Sequence, residues 1–228
     1  MATADTVVIT FYTLDTHTGE PCGKYATYAA AIEEQCEQLG VRFYMKQFPQ
    51  PETDKYLGSC RIKPLFIRDA LETLDAPVLW LDADAELRKD PRTALRDDMD
   101  FMGGLMPANR IRTWHVGTLF FNNTPAARAL LDLWIEHLEV GFSDESALHA
   151  AWSTGKWKGR YMGLPKSYYP HQSKKWRHQK NEQFRKDAVV LHHISNSPEK
   201  TAVIRKCQAR VRAEGNAAAV AKLPEVFL

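Results

Sequence analysis

The chain opens on a strand–helix–strand unit, and that unit restricts every fold open to the rest. Thr6 to Thr13 reads TVVITFYT, a β-branched and aromatic run of the kind that forms a buried strand. A turn-rich loop follows, from Asp15 to Gly23. Tyr25, Tyr28, Ala29, Ile32, Cys36 and Leu39 then recur at helical spacing, and Gly40 ends that helix. Val41 to Met45 reads as a second strand. Strands joined through a helix are the start of a parallel sheet.

The rest of the chain extends the pattern. A helix is expected from about Arg61 to Leu74, with Pro64 confined to its first turn. Pro77 opens the strand Val78 to Leu81, which ends in Asp82-Ala83-Asp84. A short helix around Pro91 to Arg96 and a strand at Phe101 to Gly103 come next. Trp114 to Asn122 reads as a strand interrupted at Gly117. Thr124-Pro125 combines a capping hydroxyl with a first-turn proline, and Leu130, Leu131, Trp134, Ile135 and Leu138 give the helix that follows an apolar face. Ser143 caps another helix, Asp144 to Trp152. Val189 to Ile194 is a last strand, and Ser197-Pro198-Glu199 opens a C-terminal helix to about Glu214. With 228 residues, 44% of them hydrophobic, and neither repeat nor linker, the expectation is one α/β domain with a mixed, mostly parallel sheet flanked by helices. Ligands of such sheets sit beyond the carboxyl ends of the strands, where Asp82-Ala83-Asp84 falls.

A formal net charge of +2 names no partner, but its distribution is uneven. From Lys156 to Lys186 there are ten Lys or Arg and one acid, Glu182. Such a run suits a solvated loop, or a surface for phosphate, nucleic acid or anionic lipid. Cys22, Cys36, Cys60 and Cys207 contain no C-x-x-C pair, so free thiols are expected. Met1 to Asp5 lacks the basic and apolar regions of a leader, and no stretch approaches the ~20 apolar residues of a membrane span. A cytoplasmic protein is therefore expected, in the host cytoplasm if the source is viral.

Two acids at i and i+2 leaving an apolar strand are costly near a core unless something balances them. Capping of the following turn is one use. A hard divalent cation is another: Mg²⁺ and Mn²⁺ prefer carboxylate oxygens and keep sites for substrate phosphate. Such a cation neutralises the charge that develops on a diphosphate leaving group.

The surroundings favour the second use. Val78 to Glu86 reads VLWLDADAE, preceded by Lys63-Pro64-Leu65-Phe66-Ile67. This resembles the GT-A nucleotide-sugar transferases, glycogenin-like enzymes and their relatives with a D-x-D motif. Gly117-Thr118-Leu119-Phe120-Phe121-Asn122 is similar to that family's strand of glycine, apolar residues and asparagine. Trp134, Asp144-Glu145-Ser146-Ala147-Leu148 and Val190-Leu191-His192-His193 follow in the family's order. The resemblance runs from about Thr6 to Lys200 and implies a GT-A, Rossmann-like fold.

The resemblance also implies roles. Residues 1–104 would bind the nucleotide sugar, 105–196 would face the acceptor, and 197–228 would be a helical extension. Asp84 would be the principal metal ligand, Asp82 would contact metal or ribose, and His192 or His193 would complete the site. Adjacent residues of a strand point to opposite faces, so only one histidine should reach the metal; His193 is preferred, leaving Val190 and His192 on the other face. Thr10, Tyr12 and Thr13 are candidates for base and ribose, and Arg61 and Lys63 for the donor. Lys200 stands near the family's diphosphate-binding lysine, although Ser195-Asn196-Ser197-Pro198-Glu199 replaces the usual context. Asp144 or Glu145 would be the general base of an inverting enzyme, or would contact the sugar in a retaining one; as acids at a helix start they also suit the helix dipole. His115 is a second candidate near the acceptor. The implied cofactor is Mn²⁺ or Mg²⁺, and the implied donor a UDP-sugar.

Lys174-Lys175-Trp176-Arg177-His178-Gln179-Lys180, flanked by Tyr168, Tyr169 and Phe184, mixes cations with stacking faces. That composition suits nucleic acid, and with it a hydroxymethylated pyrimidine of DNA as acceptor, as in bacteriophages. It also suits a cell-envelope glycan or lipid-linked sugar at a membrane face, a protein side chain, or a lid over the donor. Three other classes use some of the same features. A non-catalytic nucleic-acid-binding module would leave Asp82 and Asp84 structural. A phosphatase with an Asp-x-Asp nucleophile carries its motif after the first strand, whereas here it follows the third. A nucleotidyltransferase would need a glycine-rich basic loop, of which His17-Thr18-Gly19 to Lys24 is a poor version.

Overall fold

The first strand and the two beside it form the parallel half of a six-stranded sheet. The structure, a computed structural model, describes residues 2–22, 24–51, 55–108, 111–139, 143–169 and 186–192. Strand β1 (Val7–Leu14) leads through helix α1 (Tyr25–Gln38) to β2 (Arg42–Pro49), and helix α2 (Lys55–Leu74) returns the chain to β3 (Val78–Leu81). After a three-residue strand β4 (Ala85–Leu87) come β5 (Phe101–Ala108), β6 (Ile111–Phe121), α3 (Pro125–Glu136), α4 (Asp144–Ser153), β7 (Tyr161–Gly163) and β8 (Val190–His192). The sheet order is β2-β1-β3-β6-β5-β7, with only β6 antiparallel to its neighbours. A separate antiparallel ladder joins β4 to β8.

Alternation along β1 explains how both faces are covered. Val7, Ile9 and Phe11 enter the core under α2, α3 and α4, where Phe66, Leu71, Leu130 and Trp134 are buried. Val8 enters the opposite core with Ile32 and Cys36 of α1, Leu87 of β4, Val190 of β8 and Tyr168. Fully burying a side chain of this size is worth roughly 1.5–3 kcal/mol. Helices lie on both sides of a mostly parallel sheet, as the sequence predicts.

Several details differ from expectation. Helix α2 begins at Lys55, so Pro64 lies in its middle instead of its first turn. Proline there removes one donor, and the buried face of Phe66, Ile67, Ala70 and Leu71 keeps the helix in place against that loss. The segment Pro91–Ala94 is a 3-10 turn capped by Asp90 rather than an α-helix. Strands β2, β5 and β6 run longer than their apolar patterns. Strand β4 was not expected, and β7 falls within the segment read as partly irregular. The C-terminal helix expected from Ser197 lies outside the described residues.

Strand β6 is where the topology turns into a site. Its pairing with β5 jumps from Gly103↔Leu119 to Gly104↔His115. Val116, Gly117 and Thr118 therefore have no partners on β5, although Thr118 still pairs with Leu81 of β3. The break expected at Gly117 is this bulge. It puts Gly117 beside Asp82 while the next residue, Thr118, bonds His192.

Candidate functional site

Asp82 follows β3 in a tight turn. The Ala85 amide donates to the Asp82 carbonyl at 2.8 Å, and the Asp82 amide donates to the carbonyl of Gly117 in the bulge at 2.9 Å. This turn lets two acids leave the same strand end. Strand β8 then pairs with β4 in the register Ala85↔His192, which carries His192 back to the turn. One ligand atom each of Asp82, Asp84 and His192 lie within 4.8 Å of one another, the only such group of His, Cys, Asp and Glu among the described residues. His192 is buried and both acids are half-buried.

Neighbouring groups orient each of these side chains. Thr118 donates its hydroxyl proton to the Tyr168 carbonyl at 3.0 Å and meets His192 Nε2 at 2.7 Å. A hydroxyl has one proton, so Nε2 is assigned as the donor to Thr118 and Nδ1 keeps its lone pair. Fixing a histidine through its second nitrogen is what metal-binding imidazoles need. Asp82 Oδ1 faces the Trp80 indole N–H at 3.1 Å and the Lys63 ammonium at 2.9 Å. Asp82 Oδ2 faces Gly117, where an added Cβ would lie 3.1 Å from that oxygen and 2.8 Å from the His192 ring.

Lys63 lies beneath the turn, 5% exposed. Its Nζ contacts Asp144 at 2.5 Å, Asp82 at 2.9 Å and the Val116 carbonyl at 3.2 Å, and sits 5.4 Å from the centre of the Trp80 ring. Burial pulls its pKa down, but Asp144 and then Asp82 outweigh that and hold it above the ordinary lysine range. Asp144 is buried at the start of α4; its Oδ1 accepts from the Glu145 amide, and its carbonyl accepts from Trp134 Nε1 at 2.9 Å. Asp82 and Asp144 both meet the Lys63 ammonium, and Asp84 stands beside Asp82. Carboxylate oxygens with one imidazole nitrogen suit Mn²⁺ and accept Mg²⁺.

The remaining candidates are distributed as follows. His115 is buried, stacks against Tyr169 with ring centroids 5.8 Å apart, and meets the His192 ring edge-on at 4.6 Å. Thr10 is buried inside the sheet and donates to the Leu81 carbonyl at 2.8 Å, so it braces the strand end that carries Asp82. Tyr12 accepts from Gln47 at 2.6 Å through its hydroxyl, and Thr13 is buried nearby. Arg61 points toward Glu139 at 3.6 Å on the surface. It is two residues, about 200° of helix, from Lys63 and does not share its buried face. Glu145 is half-buried beside Asp144. Among the described residues His192 is the histidine found with the acids; His193, preferred from the sequence, and Lys200 lie outside the described residues, as do residues 170–185 of the basic segment.

Three contributors escaped the sequence reading of roles. Trp80 is i−2 from Asp82 and so on the same face of the chain, a spacing that could have been used. Gly117 and Thr118 belong to the quoted motif, but their contacts depend on the bulge, which has no sequence rule strong enough to place it.

No protein-family model matches this sequence, and neither does any curated protein. Solved structures do match. A glycosyltransferase involved in the glycosylation of the major capsid of PBCV-1 shares 15% identity, with 86% of this chain aligned to 95% of that one and a TM-score of 0.60. The glycosyltransferase GlyE of Streptococcus pneumoniae TIGR4 shares 16% identity over 83% of this chain and 55% of its own, with a TM-score of 0.48. Mouse xyloside xylosyltransferase 1 shares 11% over 85% of this chain and 99% of its own, also at 0.48. The likeness to the PBCV-1 glycosyltransferase shows the class of fold: a mixed, mostly parallel α/β sheet flanked by helices, shared with that enzyme.

Proposed function

We propose that this chain is a metal-dependent glycosyltransferase that moves a sugar from a nucleotide diphosphate, with a UDP-sugar the expected donor, to a hydroxyl acceptor. The observation that carries the reading is the convergence of Asp82, Asp84 and His192 at a strand end, over a buried Lys63 that contacts Asp82 and Asp144.

In the transfer, the bond from sugar C1 to the diphosphate oxygen breaks and a bond from C1 to the acceptor oxygen forms. The acceptor proton must leave, and the diphosphate departs with an added negative charge. A bound Mn²⁺ or Mg²⁺ supplies Lewis-acid neutralisation of that charge. Asp82, Asp84 and His192 would hold the cation. Trp80, Lys63 and Thr118 orient those ligands. His115 and Glu145 are the candidates on the acceptor side, and β1 with Tyr12 and Thr13 is the candidate wall for the nucleotide.

For the acceptor, a hydroxymethylated pyrimidine in DNA remains the reading to test. It rests on the basic run, whose described part includes exposed Lys156, Lys158, Arg160 and Lys166. A lipid-linked or envelope sugar is the competing acceptor. Among the described residues no helix is long and apolar enough to cross a membrane.

A panel of UDP-, GDP- and dTDP-sugars, assayed for released nucleotide with and without chelator, tests the donor and the metal. Asp84→Ala should lower metal-dependent release by more than about a hundredfold, since even residues that only orient metal ligands cost 10–100-fold. Unchanged release in Asp84→Ala would remove the metal assignment. No release from any donor by the wild-type chain, with DNA binding that needs no metal and survives Asp84→Ala, would favour a non-catalytic nucleic-acid-binding module. Hydroxymethyl-containing DNA in the same assay tests the acceptor; no sugar adduct by mass spectrometry would refute the DNA reading.

A further inference from the structure

We infer that Asp144 is a positioning residue that acts on the cation site through Lys63, drawing the ammonium toward α4 so that Asp82 keeps its charge for the metal. The inference rests on the metal-site reading above.

The contacts give Asp144 this role in place of the general base expected from its place at a helix start. Asp144 is 5% exposed. Its Oδ2 lies 2.5 Å from Lys63 Nζ and its Oδ1 accepts from the Glu145 amide at 2.9 Å. Both oxygens are therefore engaged by donors of the protein. Ser143 and Ser146 close the start of α4 in a reciprocal cap, and Trp134 holds the Asp144 carbonyl. The carboxylate is thus fixed in place before any ligand arrives.

Lys63 is the hinge of the arrangement. It is closer to Asp144 than to Asp82, 2.5 Å against 2.9 Å. Its contact with Asp82 is through Oδ1, while Oδ2 lies on the side of Gly117 and His192. Lys63 therefore biases which oxygen Asp82 presents. Without the Asp144 charge, Asp82 would be the carboxylate left in contact with the same ammonium among the described residues, in a buried position where attraction between charges is strong. Lys63 would then compete with the cation for Asp82.

A double-mutant cycle read by Mn²⁺ affinity tests this. Free Mn²⁺ is followed by electron paramagnetic resonance in titrations of the full chain. Asp144→Asn keeps the acceptor oxygen for the Glu145 amide and touches no metal ligand. It should weaken Mn²⁺ binding by about tenfold or more. Adding Lys63→Met to Asp144→Asn removes the competing ammonium and returns the site to its wild-type net charge, so affinity should recover toward that of the wild type. A purely structural pair would show in the Tm of the metal-free variants, which is measured alongside, and would leave the Mn²⁺ affinity of the folded chain unchanged. Wild-type affinity in Asp144→Asn would overturn the inference, as would a double variant as weak as Asp144→Asn. If the wild-type chain itself bound no Mn²⁺, the metal-site reading would fall instead, which keeps the two failures distinct.

Discussion

Gly117 carries a constraint that comes from three directions at once. A methyl group there would lie 2.7 Å from the His115 ring, 2.8 Å from the His192 ring and 3.1 Å from Asp82 Oδ2. His115 and His192 are buried, so neither ring can swing into solvent to make room. Gly117→Ala should therefore displace the ligands themselves. Overpacking of this kind costs roughly 1–3 kcal/mol in stability. The expected outcome is a folded protein with a modestly lower Tm and at least tenfold weaker Mn²⁺ binding, tenfold being about 1.4 kcal/mol. Calorimetric titration would measure it, and an unimpaired affinity would refute the close approach. The candidate ligands were visible in the sequence as a pair of acids and a pair of histidines. Which histidine meets the acids was not, because side-chain alternation separates the two without saying which face of β8 turns toward β4. The answer lies in the pairing Ala85↔His192, a contact between segments far apart in the chain.

At the scale of elements, legibility followed length and periodicity. Helices α1 and α3 were readable because their apolar residues repeat over several turns and their ends carry Gly40 or Thr124-Pro125. The strands β4 and β7 have three residues each, too few for any alternation to register. Helix α2 was cut short because Pro64 argues locally against a helix interior, and tertiary burial overrides that local preference. Helix α4 bears directly on function, since its first residue is Asp144. Ser143 accepts from the Ser146 amide at 3.2 Å, and Ser146 accepts from the Ser143 amide at 2.9 Å. Ser143→Ala removes one half of this cap and should lower stability by about 1 kcal/mol. The midpoint of urea denaturation would fall with an unchanged slope. If the midpoint did not move, the cap would not be what secures the start of α4.

At the scale of the molecule, the candidate metal ligands come from separate elements. Asp82 and Asp84 leave the centre of the sheet, and His192 ends β8, which pairs with β4 and not with the sheet itself. Lys63 brings in α2, and Asp144 brings in α4. A cation held by Asp82, Asp84 and His192 would therefore fasten the β4–β8 ladder to the sheet, and it would bind only the folded chain. Binding to the native state alone raises stability by mass action, about 2.7 kcal/mol at a free concentration near a hundred times Kd. For a domain of this size that corresponds to a rise in Tm of about 5–10 °C. Differential scanning fluorimetry with and without Mn²⁺ should show that rise, and chelator should reverse it. His192→Ala should abolish the rise while keeping the Tm of the metal-free protein within a few degrees. Arg61→Ala, a surface change facing Glu139, should leave the rise intact. An equal Mn²⁺-dependent shift in His192→Ala would mean that the ion binds elsewhere. The three-ligand site would then be no more than a cluster of side chains.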